Sequence, residues 1–160
     1  RVLMDPSRSA RLCEALAEKV RKAGLGDAVE MIVAPALGGV VVGYEMGRQL
    51  GVPAIFVERV AGAFELRRGF EILPRQRCLI VEDVVTTGLS SRECIAVVEA
   101  LGGTVVGAAA LVDRSGGKAE LHVPFVPLIR LDIPHFPPDQ LPDFLAGLPP
   151  VKPGSRGLKA

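Results

Sequence analysis

Apolar residues along the chain alternate between helical spacing and unbroken runs. In "DPSRSARLCEALAEKVRKAG", residues 5–24, Leu12, Leu16 and Val20 recur every four positions; Asp5 can cap, Pro6 suits a first turn and Gly24 can end the element. This spacing predicts an amphipathic helix. "VEMIVA" at 29–34 predicts a strand, "PALGG" at 35–39 a break, and "VVVGYEMGRQLG" at 40–51 a second helix ending at Gly51. "PAIFVERV" at 53–60 is the next predicted strand. Residues 61–70, "AGAFELRRGF", are polar and punctuated by glycine, which predicts an exposed loop or hairpin and the least ordered part of the chain. "RCLIVE" at 77–82 and "TVVGAAALVD" at 104–113 are strands with no wet face, separated by a helix in "LSSRECIAVVEALGG" that ends at Gly102. "VPFVPLIRLDIP" at 123–134 suggests one more strand, and the proline-rich remainder is expected to wrap over the core and fray.

Strands alternating with helices imply an α/β fold: an open, mostly parallel twisted sheet with helices on both faces. Its 160 residues suit one domain, 1–160, with a tail from about 146, because a chain of this size buries about 70% of its unfolded surface. Ligands of open α/β sheets bind beyond the carboxyl ends of the strands, so residues 34–39, 83–90 and 113–117 are expected to converge on a site.

Charge narrows the ligand classes. Nineteen Lys and Arg against eighteen Asp and Glu leave a formal charge of +1, with no global footprint for nucleic acid or an anionic membrane, so any anion site is local. Cys13, Cys78 and Cys94 lie far apart inside apolar segments, as buried thiols of a reducing compartment do, and the cytoplasm is the expected location. The longest apolar run, "VVGAAALV", falls well short of the roughly 20 residues of a membrane-spanning helix.

The densest chemistry is in "LIVEDVVTTGLSS", residues 79–91. Adjacent residues of a strand point to opposite faces, so Glu82 and Asp83 meet one ligand only if the chain turns after them, and such a turn is expected here. The helix starting near Leu89 or Ser90 offers free amides and a positive dipole end, and Thr86, Thr87 and Ser90 add hydroxyls, which together suit a phosphate. Two carboxylates beside a phosphate site suit a cis-diol, the outline of a ribose 5-phosphate, and a divalent cation would offset a polyphosphate's charge. The same residues also fit a plain helix-capping cluster, and composition alone does not separate the two. Neither a GxGxxG nor a GxxxxGK[ST] signature is present.

"CLIVEDVVTTGLSS" resembles the phosphoribosyl pyrophosphate (PRPP) loop of the type I phosphoribosyltransferases. "APALGGVVVGYEMGRQLG", "FVERVAGAFELRRGFEI", "ALVDRSGG" and "VKPGSRG" resemble, in order, segments of that family's orotate-specific branch. The resemblance implies transfer of the phosphoribosyl group from PRPP to orotate, giving orotidine 5′-monophosphate and pyrophosphate in pyrimidine (UMP) biosynthesis. It implies Mg2+ held mainly through PRPP and water, and a homodimer whose subunits share a loop. Carried over residue by residue, Glu82 and Asp83 would hold the ribose hydroxyls, and Val84, Val85, Thr86, Thr87, Gly88, Leu89 and Ser90 would complete the PRPP loop. Ala36, Leu37, Gly38 and Gly39 would receive pyrophosphate, and Thr86 and Arg114 would contact orotate. Arg59 matches a basic position of the catalytic loop that closes over the neighbouring subunit, with Arg67 or Arg68 able to serve instead.

Each assignment has a plainer counterpart: "PALGG" as a strand-to-helix turn, Arg114 as a solvated strand end, Arg67 and Arg68 as charges on a solvated hairpin. His122 and His135 are expected to be ordinary surface or packed residues, and Tyr44 a helix-packing aromatic. Three features depart from the resemblance. The hairpin lacks the family's lysine and histidine, Leu89 puts a side chain where glycine is usual, and the opening "RVLMDPS" resembles the middle of such enzymes, as if an N-terminal hood segment were missing. A purine or uracil phosphoribosyltransferase, or a PRPP-sensing regulator without catalysis, would share the PRPP loop.

Overall fold

Asp5 caps the first helix, its carboxylate accepting from the amides of Ser7 at 3.0 Å and Arg8 at 3.2 Å. The computed structural model describes residues 2–133, 136 and 139–149. Helices α1 (Pro6–Lys22), α2 (Gly38–Leu50) and α3 (Leu89–Ala100) are interleaved with six strands. These are β1 (Met31–Pro35), β2 (Ala54–Val60), β3 (Ala63–Leu66), β4 (Arg77–Val85), β5 (Thr104–Asp113) and β6 (Phe125–Arg130). They form one sheet in the order β3-β2-β1-β4-β5-β6, parallel except for β3, which runs antiparallel to β2.

Period-two alternation assigns each strand residue to a layer. Met31, Val33, Cys78 and Ile80 pack with Cys94, Ile95 and Val98 of α3. Their neighbours Ile32, Leu79 and Val81 pack with Leu16 and Val20 of α1 and Val42 and Met46 of α2. Both faces are dry, which is why the strands read as unbroken apolar runs. All three cysteines are buried and free. Pro127 lies within β6, tolerated because β6 is an edge strand.

The structure departs from expectation at four points. Residues 61–70 are more ordered than their composition suggests: Ala63–Leu66 pair with β2 through a two-residue turn, Ala61 (φ 47) and Gly62 (φ 96), whose left-handed angles match a tight hairpin. Strand β4 runs three residues past the predicted end at Glu82, because β5 continues beside it and pairs Val84 with Val112 and Val85 with Asp113. Helix α2 begins at Gly38, inside the predicted break, with Gly39 pressed against β4 where a Cβ would lie 3.0 Å from the Val81 carbonyl oxygen. Tyr44 packs outward, 71% exposed, because α2 turns Val42, Gly43 and Met46 to the sheet. His135 and the "VKPGSRG" tail lie outside the described residues.

The seating of α2 fixes the loop that precedes it. A Cβ on Gly43 would lie 2.8 Å from the Ala34 Cβ, closer than two carbons can approach. Gly43→Val is expected to lower stability by about 1–3 kcal/mol, as overpacking does, seen as a lower urea midpoint at unchanged slope; a midpoint equal to wild type would mean that the contact is slack.

Candidate active site

The carboxyl ends of β1, β4 and β5 lie side by side in the sheet, and β1 and β4 flank the point where strand order reverses, the usual ligand crevice of an open α/β sheet. Two helices start there without side-chain caps. At α3 the N-cap is Gly88, at φ 75, and neither it nor the acids cap the helix; the first amide, Leu89 N–H, reaches only Thr87 Oγ1 at 3.3 Å. At α2 the N-cap is Leu37, also without a side-chain bond, and the Ala36–Leu37 peptide before it is cis. Uncapped helix starts present amides and a positive dipole end to an anion. Capping therefore does not account for Glu82 and Asp83.

Gly88 suits this turn through its left-handed angle, and a Cβ there would also lie 2.6 Å from Leu121 Cδ2 and force that side chain to shift. Leu89 is already helical, so its side chain costs the turn no backbone strain and stays half exposed.

Because β4 continues to Val85, the two acids diverge where a turn was expected to bring them together. Glu82 is 8% exposed on the α3 face and accepts a short hydrogen bond from the Ser91 hydroxyl. Burial raises its carboxyl to about 6; the Ser91 bond opposes this and the neighbouring Asp83 charge adds to it. Asp83 is on the α2 face, where Oδ1 accepts from the Val84 amide at 2.9 Å and Oδ2 lies 2.7 Å from where a Cβ on Gly38 would be. Asp83 thus joins the Ala36–Gly39 segment, and Gly38 makes room for its carboxylate.

Two cavities meet at the threonine turn. One, of about 210 Å³, is walled by Glu82 and residues 84–90. The other, of about 410 Å³, is walled chiefly by Thr86, Thr87, Arg114, Ser115, Lys118 and Asp132. Thr86 and Thr87 belong to both. The structure therefore brings together Glu82, the whole 84–90 turn and Arg114, and seats Asp83 with the 36–39 segment. Arg59, Arg67 and Arg68 wall neither cavity. Arg59 pairs with Glu93 of α3, donates to the Gly62 carbonyl at 2.5 Å and lies 4.1 Å over the Phe64 ring. Arg68 and Arg67 both pair with Glu58, at 2.8 and 3.7 Å.

Sequence reasoning missed the support of the Arg114 loop. Asp113 is fully buried and accepts from Ser115 N at 2.8 Å, Ser115 Oγ at 2.6 Å and Arg130 Nε at 2.9 Å. Burial pushes its carboxyl up, but the Ser115 and Arg130 bonds outweigh that and hold it below the ordinary range. Ser115 Oγ in turn accepts from the amides of Gly117 and Ala119. The Asp-x-Ser spacing in "VDRSGG" is the visible signal, since both residue types bond to backbone amides nearby. Lys118 carried no such signal. Among the described residues, no three His, Cys, Asp or Glu side chains gather as a metal site.

The family model "Phosphoribosyl transferase domain" matches residues 3–138. An orotate phosphoribosyltransferase of Rhizorhabdus wittichii is 60% identical over 163 residues, covering 100% of this chain and 81% of the relative. Among solved structures, orotate phosphoribosyltransferase of Mycobacterium tuberculosis in complex with PRPP superposes with a TM-score of 0.65 at 26% identity, over 81% of this chain and 77% of that one. Adenine phosphoribosyltransferase of Thermoanaerobacter pseudethanolicus superposes with a TM-score of 0.68 at 24% identity, over 81% and 84% of the chains, which concerns the fold alone.

The raised carboxyl of Glu82 makes stability depend on pH. The folded state holds this proton more tightly than the unfolded chain does, so the contribution is complete below the ordinary carboxyl value of 4.5 and is lost as pH rises through about 6. Between pH 4 and pH 7 the wild type should lose about 2 kcal/mol relative to Glu82→Gln in urea unfolding, the linkage equivalent of that rise. Parallel curves for the two proteins would mean that Glu82 titrates as a solvated carboxyl.

Proposed function

The chain belongs to the orotate phosphoribosyltransferase family, and from that premise we propose that it transfers the 5-phosphoribosyl group of PRPP to orotate, releasing pyrophosphate and forming orotidine 5′-monophosphate. One observation carries the reading at the site: Thr86 and Thr87 wall both the cavity of the uncapped α3 turn and the cavity of Arg114. A phosphate on the turn and a planar base beside Arg114 would then belong to one molecule-sized site.

The roles follow from donor chemistry. The free amides at the start of α3 and the hydroxyls of Thr86, Thr87 and Ser90 receive the 5-phosphate. Glu82 and Asp83 accept hydrogen bonds from the ribose hydroxyls, with Asp83 on the side of Ala36–Gly39, where the uncapped α2 start receives pyrophosphate. The guanidinium of Arg114 offers paired donors to the polar edge of orotate. The bond from ribose C1 to the pyrophosphate oxygen breaks with oxocarbenium character, the electron pair leaving with pyrophosphate, and a ring nitrogen of orotate forms the new bond to C1 as its proton passes to solvent or to the departing pyrophosphate. Positioning and charge stabilisation do most of the work. The oxygen donors of Glu82, Asp83 and the threonines suit a hard cation that keeps its waters, and Mg2+ bound mainly to PRPP would supply neutralisation of the diphosphate.

A homodimer is part of the same proposal, with the 59–70 hairpin reaching the partner's site. Leu37 (86% exposed) at the N-cap of α2 and Val41 and Tyr44 on it offer apolar surface, and Tyr44 lies beside Phe56 and Phe70, which meet edge to face at 5.2 Å. The cytoplasm suits three buried, free thiols.

Pyrophosphate release should require PRPP and orotate together; release with guanine or uracil and none with orotate would overturn the choice of base. Asp83→Asn is expected to lower kcat/KM for PRPP about 100-fold without changing the circular dichroism spectrum. Arg114→Ala should raise the KM for orotate about 10-fold or more while that for PRPP stays within about twofold, the signature of a contact to one substrate.

A further inference from the structure

Arg92, on the second turn of α3, faces the threonine turn rather than a carboxylate. Its Nη1 donates to the Thr87 carbonyl at 3.0 Å and to the Glu120 carbonyl at 2.9 Å, so one nitrogen joins the phosphate turn to the far end of the loop that carries Arg114 and Lys118. The junction is tightly packed. A Cβ on Gly88 would lie 3.0 Å from the same Nη1 and 2.6 Å from Cδ2 of Leu121, which is itself buried. Among the described residues Arg92 makes no ion pair; both of its hydrogen bonds go to loop carbonyls.

The near end of the same loop is held separately. Arg114 N–H donates to the Val85 carbonyl at 2.8 Å, and Asp113 holds Ser115. These contacts fix where the loop leaves β5. The return, residues 118–121, is tied to Ser115 through the Lys118 and Ala119 amides and to the core through buried Leu121, and the Arg92 bond to the Glu120 carbonyl is what links it to the threonine turn.

We propose that Arg92 is a positioning residue that holds the base-side loop at a fixed distance from the phosphate turn, so that ribose C1 and the attacking ring nitrogen of orotate are aligned. This rests on the orotate reading above. Arg92 touches neither substrate in this arrangement: each half-site keeps its own binding groups without it, and what is lost is their relative position. A misplacement of about 1 Å between reacting groups costs rate much more than affinity.

Steady-state kinetics and hydrogen exchange test the two consequences. Arg92→Met should lower kcat about 10- to 100-fold while both KM values stay within about threefold, and Arg92→Lys, which keeps a donor on a shorter side chain, should recover part of the loss. Unchanged kcat in folded Arg92→Met, or a rise confined to the KM for PRPP, would overturn the proposal, the latter by making Arg92 an ordinary phosphate-side cation. Should Arg92→Met not fold, the wild-type protein still decides. Ribose 5-phosphate, which would fill only the phosphate turn, should slow amide exchange at 117–121 as well as at 86–91; protection of 86–91 alone would overturn the coupling. A wild type that releases no pyrophosphate with orotate would refute the choice of reaction, whereas the exchange result would still decide whether Arg92 couples the two loops.

Discussion

The hydrogen bond from Arg114 N–H to the Val85 carbonyl closes a parallel pairing that runs to the last residue of both β4 and β5. The rest of the site depends on that shared end point. Were β4 to stop at Glu82, the turn would begin three residues earlier, and Asp83 would lie in it instead of on the α2 face of the strand. With both strands ending level, the turn at 86–88 and the loop at 114–121 leave the sheet together, and one pair of threonines can wall two cavities. The pleat then does the sorting: alternation sends Glu82 to the α3 layer and Asp83 to the α2 layer.

This geometry concentrates positive potential without net charge. The chain carries a formal charge of only +1, yet two helices begin at the carboxyl ends of the strands without a side-chain cap from the N-cap residue, the Leu89 amide alone reaching a side chain, Thr87 Oγ1 at 3.3 Å. Such ends attract anions over a short range only, since the dipole effect fades within a turn. Beside these helix starts, burial raises the Glu82 carboxyl to about 6, and the Ser91 hydroxyl opposes that by donating to it. On the other side of the turn Asp113 has the opposite balance, ionised despite full burial because Ser115 and Arg130 surround it with donors. One buried acid lies beside the threonine turn and the other braces the Arg114 loop.

Local rules were legible in the sequence. The cap at Asp5, the four-residue spacing of Leu12, Leu16 and Val20, and the bounds of β5 all follow from short-range periodicity and punctuation. The errors lie where a distant partner decides. β4 is longer than its apolar run because β5 pairs with it, and nothing within "RCLIVEDVV" shows that. Tyr44 is exposed because α2 spends its small and aliphatic residues on the sheet. Hairpin 59–66 is ordered by Phe64 entering the core and by Arg59 reaching Glu93, 34 positions away. Arg92 was invisible for another reason: both of its partners are backbone carbonyls, which carry no letter in the sequence.

Two of the hairpin arginines are engaged by one acid. Arg67 and Arg68 share one carboxylate, Glu58, so the cluster keeps an excess positive charge even when both pairs are formed. Pairs of this kind, open to water, hold their side chains weakly because solvent screens the attraction and side-chain entropy opposes it. A diphosphate carries more charge than one carboxylate and can accept from a guanidinium on several oxygens, so it competes well for the same groups. Of the two, Arg68 also lies over the Phe56 ring, at 5.8 Å. Arg59 differs, being bonded to Gly62, Glu93 and the Phe64 face at once, so it serves better as the hinge of the hairpin than as its tip.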